Sequence, residues 1–550
     1  MIALAAAGPV RADEALLERL AGLRLVDKAD KLLPPEQLHP GLDIEGARLL
    51  NGPDVRAKLN GFIGKPFSKD SITAVTRTIT DWYRARHHPF VDVSFPSQDI
   101  AGGVVQVVVM EFRLGKVRVA GNRWFSGRLL TRGISLKPGE TIDEKVLDQD
   151  IARLNQNAYL QVTAVADKSS DPGRTDITLQ TVDRFPWRFS AGLDNGDPVT
   201  LGRERWSFAA DWGNAFGLGQ DISYQLTSSD DFWFRPTHLP VGPGGATMMD
   251  NQANWTIPLP WHDRITIFGD YGQQFPNLGA FFTQVGVNMQ VGGRYVVSLP
   301  EHGSFKHELQ FGFDFKRTNS NLAFGGDQVA SQYTEIDQFP VVYSASLDDG
   351  MGPLGLTNQL IFSPGGLTGR NNDAAFQPSA TQSGVFDAKA NYIYDDINIS
   401  QLIRLPRNFA GLLRVQGQVA TSNLLSSEEL GLGGIDSVRG YDARTASGSL
   451  GLTASAEIRF PAISVLDRFL ASKTGDQLQA DIFGDFGYVG QKTPMPGVKD
   501  QTYLESVGGG LHYSIGRYLE ARFEYGWQLR SAPGASHHTG QALFSVLVYH

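Results

Sequence analysis

The 550-residue sequence contains no cysteine, which excludes disulfide scaffolds, thiolate metal sites and cysteine nucleophiles. It also lacks any run that approaches the roughly 20 consecutive apolar residues of a membrane-spanning helix. The most apolar short segment, residues 104–110, already contains Gln106. If the chain spans a membrane, it therefore does so with strands.

Positive charge and recognisable catalytic motifs are scarce as well. The formal net charge is −9, so the chain offers no broad basic surface to DNA or RNA, and nucleic acid is not expected as a partner. The sequence has no G-x-x-x-x-G-K-[ST] and no H-E-x-x-H motif. We interpret the pairs His87–His88 and His537–His538 as solvated loop residues, and we predict no metal, no cofactor and no enzymatic activity.

Glycine and aromatic residues are abundant instead, with 61 Gly, 32 Phe, 16 Tyr and 9 Trp, which favours strands joined by tight turns. From Trp187 onward apolar and polar residues alternate, as in FKHELQFGFDFK and YLEARFEYGW. About sixteen such segments run to Tyr549, and their length suits a tilted bilayer crossing of roughly 9 to 11 residues. The alternative is a pair of soluble β-sandwiches, whose strands are shorter and whose outer faces are rarely so aromatic.

The part before the alternating region repeats at a period of about 70 to 75 residues. Residues 42–112 and 113–185 each have the order β-α-α-β-β, with Lys65–Pro66 and Lys137–Pro138 at equivalent places before a helix. The second helix of each copy has an apolar face. Each copy is predicted to be a small three-stranded sheet covered by two helices.

Three further segments precede the repeat. Residues 1–12 are largely apolar and place Val10 and Ala12 at the −3 and −1 positions of a signal-peptidase site, so they are predicted to be a residual secretion signal peptide. Residues 13–24 are predicted to form an amphipathic helix with one apolar stripe, made of Leu16, Leu17, Leu20 and Leu23. Residues 25–41, with Pro34, Pro35 and Pro40, are predicted to be a linker.

The most specific stretch is GGIDSVRGYDARTASGSLG, which contains Val438, Arg439, Gly440 and Tyr441. It resembles the VRGY signature of the Omp85 superfamily. Further along, Phe483, Asp485 and Gly487 have the F-x-D-x-G spacing that accompanies that signature. The resemblance implies that a pore loop, residues 431–447, folds into a barrel of residues 186–550 and that Arg439 meets Asp485. A bidentate pair of this kind would hold the loop in one place.

Within that superfamily the chain is similar to the transporters of two-partner secretion, also called haemolysin-activator-like proteins or TpsB. The segments FPSQDIAGGVVQVVV and GNAFGLGQDISYQL, together with two front domains, carry this similarity. It implies two α+β POTRA domains in the periplasm, followed by an all-β transmembrane barrel of about 16 antiparallel strands in the outer membrane. It also implies that the helix of residues 13–24 plugs the barrel.

The resulting hypothesis is a translocase that catches an unfolded exoprotein in the periplasm and secretes it through the barrel without ATP. Capture is expected by strand addition at an exposed edge, formed by Phe90, Val91, Asp92, Val93, Ser94 and Phe95. The expected partners are a large TpsA-like exoprotein from a neighbouring gene, outer-membrane lipid, and the barrel-assembly machinery during biogenesis. An insertase of the same superfamily and a passive porin remain as alternatives.

Overall fold

The computed structural model describes residues 16–196, 198–229, 246–278, 282–324, 327–379, 382–468, 474–533 and 539–550. The chain divides into two compact units, Met1–Phe185 and Pro186–His550, and each is described by itself. Within these described ranges, no helix is both long and apolar enough to cross a membrane.

The first front domain is a four-stranded sheet with two helices. Its strands are β1 (Gly22–Val26), β2 (Gly41–Glu45), β3 (Val91–Ser94) and β4 (Val104–Glu111), in the order β2-β1-β4-β3, and its helices are α1 (Pro53–Asn60) and α2 (Lys69–Arg84). Helix α2 begins at Ser68, whose side chain accepts the backbone N–H of Ser71. Its buried face, Val75, Ile79 and Tyr83, belongs to one core with the apolar residues of β1 and β4.

The second front domain has the predicted order β-α-α-β-β and three strands. Its elements are β5 (Arg113–Ala120), α3 (Gly127–Arg132), α4 (Glu144–Leu154), β6 (Leu160–Lys168) and β7 (Arg174–Asp183), with the strand order β5-β7-β6. Helix α4 begins at Asp143, whose carboxylate accepts the backbone N–H groups of Lys145 and Val146. The prediction of three strands is therefore correct for the second domain and wrong for the first, where β1 lies between β2 and β4 as an additional strand.

The predicted amphipathic helix over residues 13–24 is wrong wherever the structure describes it. The backbone N–H groups of Leu16 and Leu17 donate to Phe67 O at 2.8 and 3.1 Å. Leu20 and Leu23 are fully buried in the first-domain core, and Leu23 pairs in the sheet with Leu42 and Val105. The leucine spacing is that of a helix, but parallel pairing with two later strands makes this segment extended. Residues 1–15, with the predicted signal peptide 1–12, lie outside the described residues.

The predicted linker over residues 25–41 is also wrong. Leu25 and Val26 complete β1, and the prolines stand in short turns that include the 3₁₀ helix Pro35–Gln37. The backbone of Leu33 exchanges two hydrogen bonds of 2.9 Å with the side chain of Gln106 on β4. A flexible tether would leave these groups in water, so the first front domain begins well before residue 42.

The histidine pair at 87–88 lies where the two front domains meet. His88 Nδ1 is 3.1 Å from the carbonyl oxygen of Ile142, and the Glu144 N–H donates to His87 O at 2.8 Å. Phe90 packs against the core of the second domain. The half-buried His88 is therefore a contact between domains, which corrects its interpretation as a solvated residue, whereas His87 is exposed. His537 and His538 lie outside the described residues.

The second unit is a closed barrel, in which the described residues form sixteen antiparallel strands. The predicted fold class is therefore confirmed. The strands are β8 (Trp187–Asp194), β9 (Arg205–Ala215), β10 (Gln220–Ser229), β11 (Met248–Pro258), β12 (Arg264–Gln274), β13 (Phe282–Ser298), β14 (Lys306–Phe324), β15 (Asp327–Asp348), β16 (Pro353–Ser363), β17 (Tyr392–Arg404), β18 (Ala410–Ala420), β21 (Leu450–Arg459), β22 (Asp476–Gly490), β23 (Thr502–Ile515), β24 (Leu519–Gln528) and β25 (Gly540–Tyr549).

The alternation predicted from the sequence appears as two faces of each strand. On β24, Phe523, Tyr525 and Trp527 are exposed on the outer face, while Glu524 between them is fully buried. Pairing of β25 with β8 closes the sheet, with Ser545 opposite Asp194. Inside the barrel unit lie a short helix α5 (Asp373–Phe376) and a hairpin of β19 (Leu430–Leu432) and β20 (Ala446–Gly448).

Candidate functional site: the pore loop and the barrel wall

The hairpin of β19 and β20 carries the pore loop, residues 431–447, against the inner face of the barrel. Gly440 has φ +94°, in the left-handed region that favours glycine. A Cβ atom on Gly440 would lie 2.7 Å from Gly526 O on β24, and one on Gly526 would lie 2.5 Å from Gly440 N. Glycine at both positions therefore lets the loop backbone rest directly on the wall.

Arg439 is the centre of the contact between the loop and the wall. Its side chain is buried and donates to both oxygens of Asp485, from Nε to Oδ2 and from Nη2 to Oδ1, each at 2.8 Å. The Arg439 backbone N–H donates to the same carboxylate, and Ser455 Oγ donates to it at 2.7 Å. The pairing expected from the two motifs is present, in the bidentate geometry that fixes a guanidinium in orientation as well as in place.

Two further carboxylates and one ring complete the surroundings of Arg439. Glu457 on β21 and Glu524 on β24 each lie 3.1 Å from Arg439 Nη1. The guanidinium carbon lies 3.4 Å from the centroid of the Phe483 ring. Neither glutamate was predicted from the sequence as part of this site. Their position on the inward side of alternating strands was visible, but their convergence on one arginine required the register of four strands.

The remaining motif residues have structural roles in the same contact. A Cβ on Gly487 would lie 2.7 Å from Val438 Cγ2, so glycine makes room for that side chain. Tyr441 Oη lies 2.8 Å from Glu505 O and 2.7 Å from Arg530 O. Gln528 Nε2 donates to Gly440 O at 2.6 Å. The two motifs together form one surface that fits the loop to the wall.

A second ion pair, not predicted from the sequence, holds the segment that enters the pore loop. Lys316 Nζ on β14 lies 2.9 Å from both oxygens of Glu428, and Tyr394 Oη donates to Glu428 at 3.0 Å. The Glu428 side chain is 1% exposed and that of Lys316 is 20% exposed. The loop is thus held by a buried charge at its tip and by another at its base.

The predicted capture strand is present as β3, over Val91–Ser94. It lies at the edge of its sheet and pairs with β4. Phe90 and Phe95 lie outside the strand: Phe90 packs against the second domain, and the Phe95 ring is 6.4 Å from that of Phe67. Of the six predicted residues, four therefore form the edge strand β3, and Phe90 and Phe95 pack against the domain cores.

Comparison with known proteins identifies the chain's relatives. Residues 173–513 match the family model described as haemolysin secretion/activation protein ShlB/FhaC/HecB. Residues 40–111 match the ShlB-type POTRA domain, and residues 112–182 match the POTRA model described as surface antigen variable number repeat. The chain is 21% identical over 478 residues to the heme/hemopexin transporter protein HuxB of Haemophilus influenzae, covering 83% of this chain and 77% of HuxB.

Two further matches concern CdiB transporters. The outer membrane transporter CdiB of Dickeya dadantii is 21% identical over 451 residues, covering 78% of this chain and 74% of that protein. The solved structure of CdiB from Escherichia coli superposes with a TM-score of 0.73 at 18% identity, covering 99% of this chain and 93% of that one. At this identity the structural match speaks for the fold alone.

The two POTRA domains and the sixteen-stranded barrel with its VRGY loop define an outer-membrane protein transporter of the Omp85 superfamily. Within that class, the chain belongs to the ShlB/FhaC/HecB family of haemolysin secretion/activation proteins, whose model matches more than half of it. It is a two-partner secretion transporter, lies in the outer membrane with its POTRA domains in the periplasm, and translocates an exoprotein. The predicted family, the translocation of an exoprotein and the localisation are confirmed.

Proposed function

We propose that this transporter passes an unfolded exoprotein from the edge of its first POTRA domain into the barrel, past a pore loop that two buried ion pairs hold in place. No nucleotide, cofactor or enzymatic step takes part, and folding of the exported chain outside the cell supplies direction. The observation that carries the proposal is the Arg439 cluster, which fixes the loop through exchangeable polar contacts.

Capture is assigned to β3 of the first front domain. The Phe112 N–H donates to Phe90 O at 2.9 Å, and hydrogen-bonded pairs alternate along an antiparallel ladder. Asp92 is therefore bonded to β4, whereas the backbone N–H and C=O of Val93 point to the free edge. An extended exoprotein segment can bond to these groups whatever its side chains, which suits a receptor for unfolded chains.

Release of the loop is assigned to the Arg439 contacts. Removing one partner of a buried ion pair without replacement costs about 3–5 kcal/mol, so the loop stays in place at rest. A passing chain brings backbone carbonyls, side-chain charges and water, which can replace the partners of Arg439 one by one. The loop can then shift without all of its charges being unpaired together.

The partners follow from this route. The cargo is a TpsA-like exoprotein from a neighbouring gene, the outer barrel face contacts outer-membrane lipid, and the barrel-assembly machinery inserts the protein during biogenesis. The exposed aromatic residues on the outer face of β24 support the contact with lipid.

The test is Arg439→Ala, with Arg404→Ala as the matched control, since Arg404 is an exposed barrel arginine paired with Asp348. Secretion of the cognate exoprotein is measured together with the amount of assembled barrel and the ion conductance in planar bilayers. Arg439→Ala leaves Asp485, Glu457 and Glu524 without their shared cation, so we expect secretion to fall about tenfold or more and resting conductance to rise. Normal secretion by an assembled Arg439→Ala barrel would refute the proposal that the Arg439 contacts hold the pore loop in place.

A further inference from the structure

A group of buried polar atoms beside the Arg439 cluster has no hydrogen-bond partner within the described part of the chain. These atoms are Asp481 Oδ1 and Oδ2, Glu524 Oε2 and His512 Nε2. The side chains of Asp481 and Glu524 are fully buried, and that of His512 is 27% exposed. Buried polar atoms are nearly always paired, so unpartnered atoms on three neighbouring strands point to a missing ligand.

The backbone leaves room for such a ligand. Gly510 on β23 pairs with Asp481 on β22 and with Glu524 on β24. A Cβ on Gly510 would lie 2.8 Å from Asp481 Oδ2 and 2.8 Å from Glu524 Cγ. A side chain at this position would fill the space between the two carboxylates, whereas glycine keeps it open.

The charges around the group indicate that the ligand is a cation. Glu457 Oε1 lies 2.7 Å from Arg459 Nε, and Glu524 Oε1 lies 2.6 Å from Arg522 Nη2. Across the described ranges, no Lys or Arg lies within ion-pair distance of Asp481. A buried carboxylate is costly unless a cation pairs with it, and among the described residues the His512 imidazole is the one basic group at ion-pair distance from Asp481.

The donor atoms also converge as ligands do. One donor atom each from Glu457, Asp481 and His512 lie within 4.8 Å of one another. His512 Nε2 is 3.0 Å from Asp481 Oδ2, yet both atoms lack a hydrogen bond among the described residues. Two tetrahedral ligands that each lie roughly 2.0–2.2 Å from one zinc ion are about 3.3–3.6 Å apart, which is close to the separation of these two atoms.

We propose that Asp481, His512 and Glu457 bind a divalent transition-metal ion of the zinc class inside the barrel. One imidazole nitrogen and two carboxylates make three protein ligands, the number found in catalytic zinc sites, and leave a fourth position to water. The oxygens of Glu457 keep lone pairs for a metal beside their arginine contacts. His512 and its neighbour Arg522 line a cavity of about 500 Å³, which gives the ion a route in.

The metal would join β21, β22 and β23, and the first two of these strands supply Glu457 and Asp485 to Arg439. It would thereby stiffen the wall on which the pore loop rests. The site does not depend on the proposed release of the loop, since it is defined by the wall strands alone.

The experiment uses the full chain without a polyhistidine tag, purified in detergent and stripped with a chelator. Zinc sulfate is the probe, and bound zinc is measured by equilibrium dialysis with elemental analysis. The variants are His512→Ala and Gly510→Ala, and the matched control is His307→Ala, which removes another half-buried barrel histidine, one that contacts Tyr343. Circular dichroism and thermal unfolding report on folding and on stabilisation by zinc.

We expect the wild type and His307→Ala to bind one zinc ion more than His512→Ala, or to bind it at least about tenfold more tightly, and only the first two to gain thermal stability. Gly510→Ala should lose the same site because its methyl group fills the space between the carboxylates of Asp481 and Glu524. Zinc bound by the other histidines is the same in the wild type and in His512→Ala, so it cancels when the two are compared. If His512→Ala fails to fold, Asp481→Asn provides the same comparison. Equal zinc binding by the wild type and His512→Ala, or none by the wild type, would overturn the site.

Discussion

The front domains and the barrel bury opposite kinds of side chain. In the first front domain the fully buried residues are mainly apolar, such as Leu25, Val107 and Ile79. In the barrel the buried set includes Arg439, Glu457, Asp485 and Glu524. A domain in water is stabilised by removing apolar surface from water, whereas a barrel in lipid keeps its apolar side chains outside and its polar ones within.

The sheets of the front domains and of the barrel differ in whether their edges are open. The sheets of the front domains have open edges at β3 and, in the second domain, at β6, while β25 pairs with β8 to close the barrel. An open edge offers unpaired backbone groups to another chain, and a closed barrel offers none. The front domains are therefore suited to binding an extended chain, and the barrel to holding an internal loop by side-chain contacts.

The largest effect on this comparison is expected from Lys316→Met, which leaves Glu428 charged and buried without its counter-ion. The substitution should lower the stability of the folded barrel by about 3–5 kcal/mol, because an uncompensated buried charge remains. Hydrogen exchange of residues 424–449 in the assembled barrel should rise strongly. The double variant Lys316→Met/Glu428→Gln should recover most of the loss, since it removes the buried charge.

The control is Arg404→Met, which breaks an exposed ion pair with Asp348 at 2.8 Å. An exposed pair contributes about 0–1 kcal/mol, so little change is expected. If Lys316→Met raised hydrogen exchange of residues 424–449 no more than Arg404→Met, the buried ion pair would not be what holds the loop. The contrast between the front domains and the barrel would then fail.

A smaller effect is expected from Val93→Pro, which removes the N–H group that faces the free edge of β3. Loss of one hydrogen bond of about 0.5–1.5 kcal/mol should slow secretion by roughly two- to tenfold. Val93→Ala is the matched control, because it shortens the side chain but keeps the N–H. Pulse-chase measurement of exoprotein release compares the two, and equal rates for both variants would rule out strand addition at β3.

The smallest effect concerns Asp176 on β7. Its carboxylate accepts the Lys116 N–H at 2.8 Å and lies 3.0 Å from Arg118 Nη2. The Lys116 N–H, then Ser169 and the nearby positive charges, lower the pKa of Asp176 below its ordinary value. A lowered folded-state pKa stabilises the fold above the unfolded pKa of about 3.9, and the gain is lost as pH falls through the folded value.

Replacement Asp176→Asn should therefore destabilise the second front domain at pH 7, and the difference from the wild type should shrink as the pH falls below about 3.9. Hydrogen exchange of residues 113–183 in the full chain, corrected for the intrinsic effect of pH, measures the difference between variant and wild type. A constant difference across that pH range would show that the carboxylate charge has no part in it.

The sequence by itself determined the barrel and the β-α-α-β-β repeat, because alternation and helical spacing are local patterns, and the resemblance of two motifs to those of the Omp85 superfamily implied the Arg439–Asp485 pair. Only the tertiary structure decided the rest. The leucines of residues 16–24 have helical spacing, yet pairing with β2 and β4 makes the segment from Gly22 a strand. The grouping of Glu457 and Glu524 around Arg439, and the pairing of Lys316 with Glu428, join residues 18 to 112 positions apart. Such contacts depend on strand register, which no local pattern specifies.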